Sequence, residues 1–481
     1  MWPPWPDTDT MPPQTMCLEA IKGVWASGCT FYFPHRSKTT LYMIAIIGAG
    51  ISGLSLAYFL QKNQQDYVLL EASDRVGGYI QTIQEGNYLF EVGPNSILAD
   101  PQTLQWIQEW GLAEALLPAA AVSQHRYIYR RGRYRKLPSG PKDLLWNNFF
   151  SWKTKYQLWR ETKQPVKNIP NETLSSFFSR RFGQEIVEYA LAPFVAGIYA
   201  GDPDKLLVAQ TFPQLKAYEQ QYGSVIKGFR KNKSTGRKHS YSFQNGMQAL
   251  PQGIAQHLRH IKYHSPVLAI NRTGTHYQLQ TPEGILEARQ VVLATPAPVA
   301  AKLLADLAPQ ASEAVAKINY PPMAAVHLVY DRSAVKHPLD GFGGLNPRRE
   351  QRFAAGSIWA SSIFSNKCPQ DQVLLTNFVG GSQAAKHYAL DDETIFDKVA
   401  HELAEAYQIV APPKHRQIYR WPQAIPQYDQ AQAEAEQAIL PLSHQELYIC
   451  ANWKGGVSLP DCIKKGHDLA QLLTQINCSV C

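Results

Sequence analysis

The run Gly48-Ala49-Gly50-Ile51-Ser52-Gly53 has the residue types and spacing to hold a pyrophosphate. Gly48 permits a tight turn, Gly50 lets backbone approach phosphate oxygens, and Gly53 lets a helix pack closely on the strand before it. Unpaired N–H groups at the start of that helix, with the positive end of its dipole, then face the negative charge. About twenty residues further on, Glu71 closes the segment YVLLEA, where its carboxylate is placed to accept both hydroxyls of an adenosine ribose. GxGxxG alone is weak, but followed by a strand that ends in an acid it indicates a dinucleotide.

The elements that must position these residues are legible around them. Ile44, Ala45, Ile46 and Ile47 form a short buried strand, and LSLAYFLQKN continues with helical spacing. DPQTLQWIQEWGLAEALL reads as an amphipathic helix capped by Asp100 with Pro101 in its first turn. The stretch from Asn171 to Leu206 reads as two helices interrupted at Pro193 and closed by the Gly201-Asp202-Pro203 turn. Before it, Trp146, Phe149, Phe150, Trp152, Tyr156 and Trp159 alternate with lysines. Aromatics at helical spacing are expected mainly in a core, while the added basic character leaves a peripheral membrane contact open. Alternating strands follow, ending in a buried strand at Thr295 and Pro296. Near the C-terminus LYIC reads as a strand, ANWKGGVSLPDC as a paired-glycine loop, and the helix starting near Pro460 points its N–H groups at the same ligand. Asp461 is expected only to match the helix dipole there.

Composition bounds the rest. A chain of 481 residues with 45% hydrophobic and 18% charged side chains supports two or three cores and has no global disorder signature. The net charge of +8 is concentrated in two runs, Arg126 to Lys136 and Lys227 to Lys238 (Lys227, Arg230, Lys231, Lys233, Arg237 and Lys238). They suit solvated loops, an acidic substrate or an anionic surface; no nucleic-acid module accompanies them, so no nucleic-acid partner is expected. The seven cysteines lack CxxC or other metal-ligand spacing, which fits a reducing, cytoplasmic setting and no metal. Residues 1–42, proline-rich and aperiodic, are expected to be a disordered extension without chemistry, with Met43 as the functional start.

The continuation EASDRVGGYI, with Arg75 and the pair Gly77 and Gly78, resembles the FAD-binding arm shared by amine oxidases, phytoene desaturases and protoporphyrinogen oxidases. Those families often place arginine after the glycine pair; this chain has Tyr79. The strings GPNSI, PFVAGIYAGDPDKL, SFQNGMQALP, YPPMAAVHLVY, GFGGLNPR, WPQAIPQY and GGVSLPDC stand in the order seen in the protoporphyrinogen oxidase family. The resemblance extends over nearly everything from Met43 onward.

It implies an α/β fold with α+β insertions, a two-dinucleotide-binding-domain flavoprotein with a Rossmann-type FAD domain, a mixed-sheet substrate domain and a helical region. The expected division is FAD domain at 43–120, 221–300 and 436–481, a helical and membrane-contacting region at 121–220, and the substrate domain at 301–435. Bound non-covalently, FAD is expected to meet Gly48, Gly50, Ile51, Ser52, Gly53, Glu71, Ala72, Arg75, Gly77, Gly78, Tyr79, Val92, Gly93, Pro94, Asn95, Val267, Thr295, Trp421, Asn452, Val457, Ser458 and Leu459. Arg126 is expected to pair with a substrate propionate, Leu345 and Phe364 to sandwich the macrocycle, and Gly197 to let backbone approach it. The implied reaction is oxidation of protoporphyrinogen IX to protoporphyrin IX in haem biosynthesis, by hydride transfer to FAD with oxygen as acceptor and hydrogen peroxide released. The cofactor carries the chemistry, so no catalytic side chain is expected. Coproporphyrinogen III oxidation, another amine-oxidase or desaturase reaction, and a non-catalytic FAD-binding protein remain open, as do a homodimer and peripheral attachment to the cytoplasmic membrane.

Overall fold

The computed structural model describes residues 41–232 and 238–480. Most of the expected extension at 1–42 lies outside the described residues, as do Lys233 and Arg237 of the second basic run. The first strand, Leu41–Ile47, begins two residues before Met43.

That strand is central to a seven-stranded sheet. Tyr67–Leu70 lies parallel on one side of it, with Ile261–Lys262 beyond, and Gly284–Leu293 lies parallel on the other. The long strand Gly284–Leu293 has two roles: its first half pairs antiparallel with His276–Thr281, and its last residues pair parallel with Leu447–Ile449. Segments from the start, middle and end of the chain therefore build one sheet. Alternation along the strands sends Ile44, Ile46 and Leu69 to one buried face and Ala45, Ile47, Val68 and Leu70 to the other. Helices cover both faces, which is why the strands read as continuous apolar runs. The helices Ile51–Lys62 and Leu459–Val480 pack on each other over the first face, so closely that a Cβ on Gly466 would lie 2.7 Å from the amide nitrogen of Leu56.

A second seven-stranded sheet runs in the order His415–Trp421, Met323–Asp331, Gln372–Gly380, Gly356–Ile358, Gly343–Leu345, Tyr127–Arg130, Arg133–Lys136. It is mixed, because Gly343–Leu345 runs parallel to Tyr127–Arg130 and its other pairings are antiparallel. The span 121–220 thus contributes a hairpin to this sheet as well as helices. Within that hairpin Arg130 is buried and paired with Glu185 at 2.6 Å, so the first basic run is partly structural.

The helical region departs from expectation at two points. Its break falls at Gly183, with φ +94°, while Pro193 sits inside a continuous helical run from Gln184 to Tyr199. A π-helical turn at Val187–Leu191 accommodates the proline, which lacks an N–H and crowds the preceding turn. Of the aromatics expected mainly in a core, only Phe149 and Phe150 are buried; Trp146, Trp152, Tyr156 and Trp159 are exposed. The interior beneath them is closed instead by a neutral set of buried ions, in which Arg181 meets Glu161, Arg180 meets Glu172 and Glu219, and Lys216 meets Glu172. Among the described residues no helix is long and apolar enough to cross a membrane.

Candidate active site

The glycine run turns from the strand Leu41–Ile47 into the helix Ile51–Lys62 at the edge shared with Tyr67–Leu70. Gly48 has φ +102°, a conformation that favours glycine. Gly50 is the helix N-cap and has no side chain to satisfy the first-turn amides; a Cβ there would meet nothing within 4 Å. Bare backbone with unspent N–H groups therefore faces open space, as phosphate binding requires. The second glycine loop lies opposite: Gly77 donates its N–H to the Ala49 carbonyl at 2.8 Å, and a Cβ on Gly78 would lie 3.4 Å from the Gly50 Cα.

Glu71 stands at the end of its strand. Its Oε2 accepts the Ala49 N–H at 2.8 Å, and its Oε1 accepts the Ser73 N–H at 2.9 Å and the Ser73 hydroxyl at 2.8 Å. A carboxylate has about four acceptor positions, so acceptor capacity remains for ribose hydroxyls. Ala72 is exposed beside it, and Ser265, two residues before Val267, donates its N–H to the Glu71 carbonyl. The Arg75 guanidinium is turned onto its own loop, donating to the Gly78 carbonyl and to Gln81 Oε1 at 3.1 Å each. Arg75 thus shapes the paired-glycine turn rather than presenting free donors.

Tyr79, Val92 and Trp421 are brought together. The Trp421 indole donates to the Val92 carbonyl at 2.6 Å, and its ring centroid is 5.1 Å from that of Tyr79. Burial pushes the Tyr79 phenol up to about 12. Gly93 packs on Tyr79 so tightly that a Cβ would lie 1.9 Å from its carbonyl oxygen, and the adjoining Pro94-Asn95 turn is closed by Asn95 donating to the Gly93 carbonyl.

The C-terminal loop closes the same region. Thr295, whose methyl would contact a Cβ on Gly48 at 3.2 Å, accepts the Trp453 indole N–H at 3.0 Å through its carbonyl, and its own buried hydroxyl has no partner. The Tyr428 hydroxyl donates to the Asn452 carbonyl at 2.7 Å and accepts the Gly456 N–H at 3.0 Å. Ser458 and Asp461 form a reciprocal cap: the Asp461 N–H donates to Ser458 Oγ at 3.2 Å, and the Ser458 N–H to Asp461 Oδ2 at 3.2 Å. Asp461 therefore does more than match a dipole. With that amide spent and Pro460 lacking one, Leu459 is the remaining first-turn donor there, fewer than the sequence suggested.

The four expected substrate residues are distributed unevenly. Gly197, exposed on the helix Ala192–Tyr199, meets Leu345: a Cβ would lie 3.0 Å from Leu345 Cδ2. Leu345 and Val457 both flank the aromatic core of the helical region, which includes Tyr199 and Tyr428. Arg126 stands just before the strand neighbouring Leu345, its guanidinium 4.0 Å over the Phe342 ring and bonded to the Ser123 carbonyl. Its side chain is exposed, crowding by the surrounding protein lowers its pKa to about 10, and no carboxylate pairs with it among the described residues. Phe364 is only 3% exposed, with Lys367 Nζ 5.7 Å from its ring.

A profile of flavin containing amine oxidoreductases matches residues 51–474. The chain belongs to that family. The chain is a flavin-dependent oxidoreductase of mixed α/β fold. Protoporphyrinogen oxidase 1 of Spinacia oleracea chloroplasts is 31% identical over 475 residues, which cover 88% of this chain and 83% of that protein. Coproporphyrinogen III oxidase of Bacillus subtilis (strain 168) is 28% identical over 453 residues, covering 88% of this chain and 96% of the relative. The crystal structure of a protein from Exiguobacterium sp. 255-15 shares the fold with a TM-score of 0.75 at 24% identity, covering 91% of this chain and 99% of that one.

This flavin family member also uses residues that motif reading did not single out. Lys465 donates its ammonium to the carbonyls of Ala451 at 2.7 Å, Lys454 at 2.5 Å and Gly456 at 2.7 Å, drawing the C-terminal loop around one charge. Phe342 supplies the ring beneath Arg126, and Tyr428 ties the loop to the helical region. The Lys465 role depends on three carbonyls whose convergence is tertiary, and nothing local in the sequence announces it.

Proposed function

We propose that the chain is an FAD-dependent porphyrinogen oxidase of haem biosynthesis, acting on protoporphyrinogen IX. The observation that carries this reading is Arg126, a guanidinium held on an aromatic face with no carboxylate partner among the described residues. Such a group is suited to a bidentate bond with a substrate propionate.

Bound FAD would supply a two-electron acceptor for hydride from the reduced macrocycle, used in three rounds per porphyrinogen with one oxygen reduced to hydrogen peroxide in each. The protein holds and orients. Backbone at Gly50, Gly53 and Gly78 receives the pyrophosphate, Glu71 takes ribose hydroxyls, and Val267 and Thr295 line the way to the sheet edge. Tyr79, Trp421 and the Val92-to-Asn95 loop bound the ring on one side, and Val457 to Leu459 bound it on the other. The Leu459 N–H, left without a helical partner, would be available to the ring, where a fixed donor would stabilise developing negative charge. Gly197 and Leu345 form one wall of the cleft, and Arg126 anchors an acid group.

Coproporphyrinogen III is the second reading, favoured by the relative from Bacillus subtilis, which aligns over 96% of its length. A peripheral membrane contact fits the exposed Trp146, Trp152 and Trp159. The test is anaerobic addition of protoporphyrinogen IX or coproporphyrinogen III, separately, to purified protein. Flavin absorbance bleaches, and readmitted oxygen yields porphyrin fluorescence and peroxide; the faster substrate identifies the physiological class. Colourless protein, or bound flavin bleached by neither substrate, overturns the proposal.

A further inference from the structure

Between Pro141 and Pro170 the chain carries six basic residues, Lys142, Lys153, Lys155, Arg160, Lys163 and Lys167, against two acids, Asp143 and Glu161. Of the two acids only Asp143 offsets any of the surface charge. Glu161 is fully buried on Arg181 and Ser224, and Asp143 is engaged by the Ser139 N–H. The same stretch exposes large rings, with Trp146 at 88% and Trp159 at 62%. Tyr156 and Trp159 stack with centroids 5.9 Å apart, and cations stand over them, Lys163 Nζ 4.9 Å from the Trp159 centroid and Arg160 Cζ 5.7 Å from that of Tyr156.

A cavity of about 260 Å³ opens beside these rings, lined by Gln157, Arg160, Gln164, Pro165, Lys167 and Arg180. Arg180 in its wall is neutralised by Glu172 and Glu219 behind it. Arg160 and Lys167 have no carboxylate partner among the described residues. The cavity therefore holds two uncompensated cations and side-chain amides, and an anion with several acceptor oxygens complements them. Amphipathic rings at its mouth, with lysines among them, suit the depth of lipid headgroups.

We propose that this cavity binds the phosphate of an anionic phospholipid, with the aromatic rim seated in the bilayer interface. The proposal rests on the peripheral membrane reading above and adds to it a headgroup-selective site. Both cations line the cavity and would bond a phosphate seated in it, whereas the lysines outside it act through the diffuse surface potential.

The experiment is cosedimentation of the full chain with vesicles of phosphatidylcholine alone or with added phosphatidylglycerol. The variant is Arg160→Ala with Lys167→Ala; the control, Lys142→Ala with Lys153→Ala, removes the same charge from exposed positions of the same aromatic and basic stretch outside the cavity. Expected is tighter binding to phosphatidylglycerol vesicles, weakened in the control by no more than the about 30-fold that two interfacial charges are worth and in the cavity variant by clearly more, with flavin content intact in both. Trp159→Ala weakens binding to both kinds of vesicle. Equal wild-type binding to both lipids, or equal losses in the two charge variants, overturns the headgroup site while the membrane reading stands. Absence of binding to either vesicle overturns both. Thermal stabilisation by inorganic phosphate without vesicle binding identifies a soluble-anion site and also overturns the proposal.

Discussion

A Cβ placed on Gly53 would lie 2.0 Å from the carbonyl oxygen of Gly48. The first and last glycines of the motif are thus in contact across one turn, and that contact sets how deeply the helix sits against the strand. Gly53→Ala must push the helix outward, at a cost of about 1–3 kcal/mol, and should yield protein with less flavin and a lower melting temperature. Gly50→Ala has open space for its methyl and should melt near the wild type while losing flavin, because the methyl occupies the phosphate approach. The ratio of flavin to protein absorbance, with a thermal melt, separates the two effects.

Lys465 holds three carbonyls of the C-terminal loop at once. Hydrogen bonds to charged groups contribute about 1.5–3 kcal/mol, and Lys465→Met leaves these carbonyls without their donor. The expected outcome is protein that folds, since the helix still packs through Gly466, but releases flavin on dilution or gel filtration. Flavin retained as firmly as in the wild type would show that the loop does not grip the cofactor.

These two predictions show what the sequence made legible. The strand, the three glycines and Glu71 are local in sequence, and their spacing carries the geometry. Asp100 as a cap is equally local, and the structure gives it the Thr103 N–H at 2.7 Å. Other features depend on distant partners. Arg75 looks free until Gln81 and the Gly78 carbonyl close around it, and Glu71 loses acceptor capacity only because Ala49 and Ser73 are placed beside it. Helical spacing of aromatics gives a face but not its sign, so Trp152, Tyr156 and Trp159 were expected mainly in a core and stand in solvent. Pro193 is an ordinary helix breaker until a π turn absorbs it.

Glu185 connects the first basic hairpin to the helix Trp152–Arg160. Burial alone would raise its pKa, but hydrogen bonds from Thr154, Ser151 and Arg130 prevail and hold it down to about 2. The folded value lies below the unfolded one, about 4.3, so its stabilisation is complete above that pH and is lost as pH falls through the folded pKa. Between pH ~4.5 and ~2 the segment carrying Trp152 and Trp159 should loosen, read as a shift in tryptophan emission. Glu185→Gln should reduce the amplitude of that transition; an unchanged acid transition would place its cause elsewhere.

Arg126 is expected to act on substrate affinity and not on the flavin. Arg126→Ala should raise KM by about tenfold or more, the scale of one charge-assisted bond, with flavin content and kcat near the wild type. Arg126→Lys keeps the charge but loses the fork, and should fall between them. An unchanged KM for both protoporphyrinogen IX and coproporphyrinogen III would remove Arg126 from the substrate site.

The contact between Gly197 and Leu345 offers a test of the cleft that depends on neither charge nor cofactor. A methyl on Gly197 would lie 3.0 Å from Leu345 Cδ2, closer than ordinary contact, and the neighbour is the flexible end of a side chain. Leu345 must therefore yield by a few tenths of an ångström, into the space assigned to the macrocycle. Gly197→Ala alone should raise KM severalfold with little loss of stability, since the gain of about 1 kcal/mol in helix propensity offsets an overpacking cost that a flexible neighbour keeps near the low end of about 1–3 kcal/mol. Leu345→Ala alone removes apolar contact with the substrate and should also raise KM. Combined, the two changes relieve each other, because the new methyl takes part of the volume that Leu345 vacated. The double variant should bind better than the sum of the single losses, with a coupling of about 0.5–3 kcal/mol. Strict additivity in KM would mean that Gly197 and Leu345 do not share a substrate wall, and that their contact only packs the helical region against the second sheet.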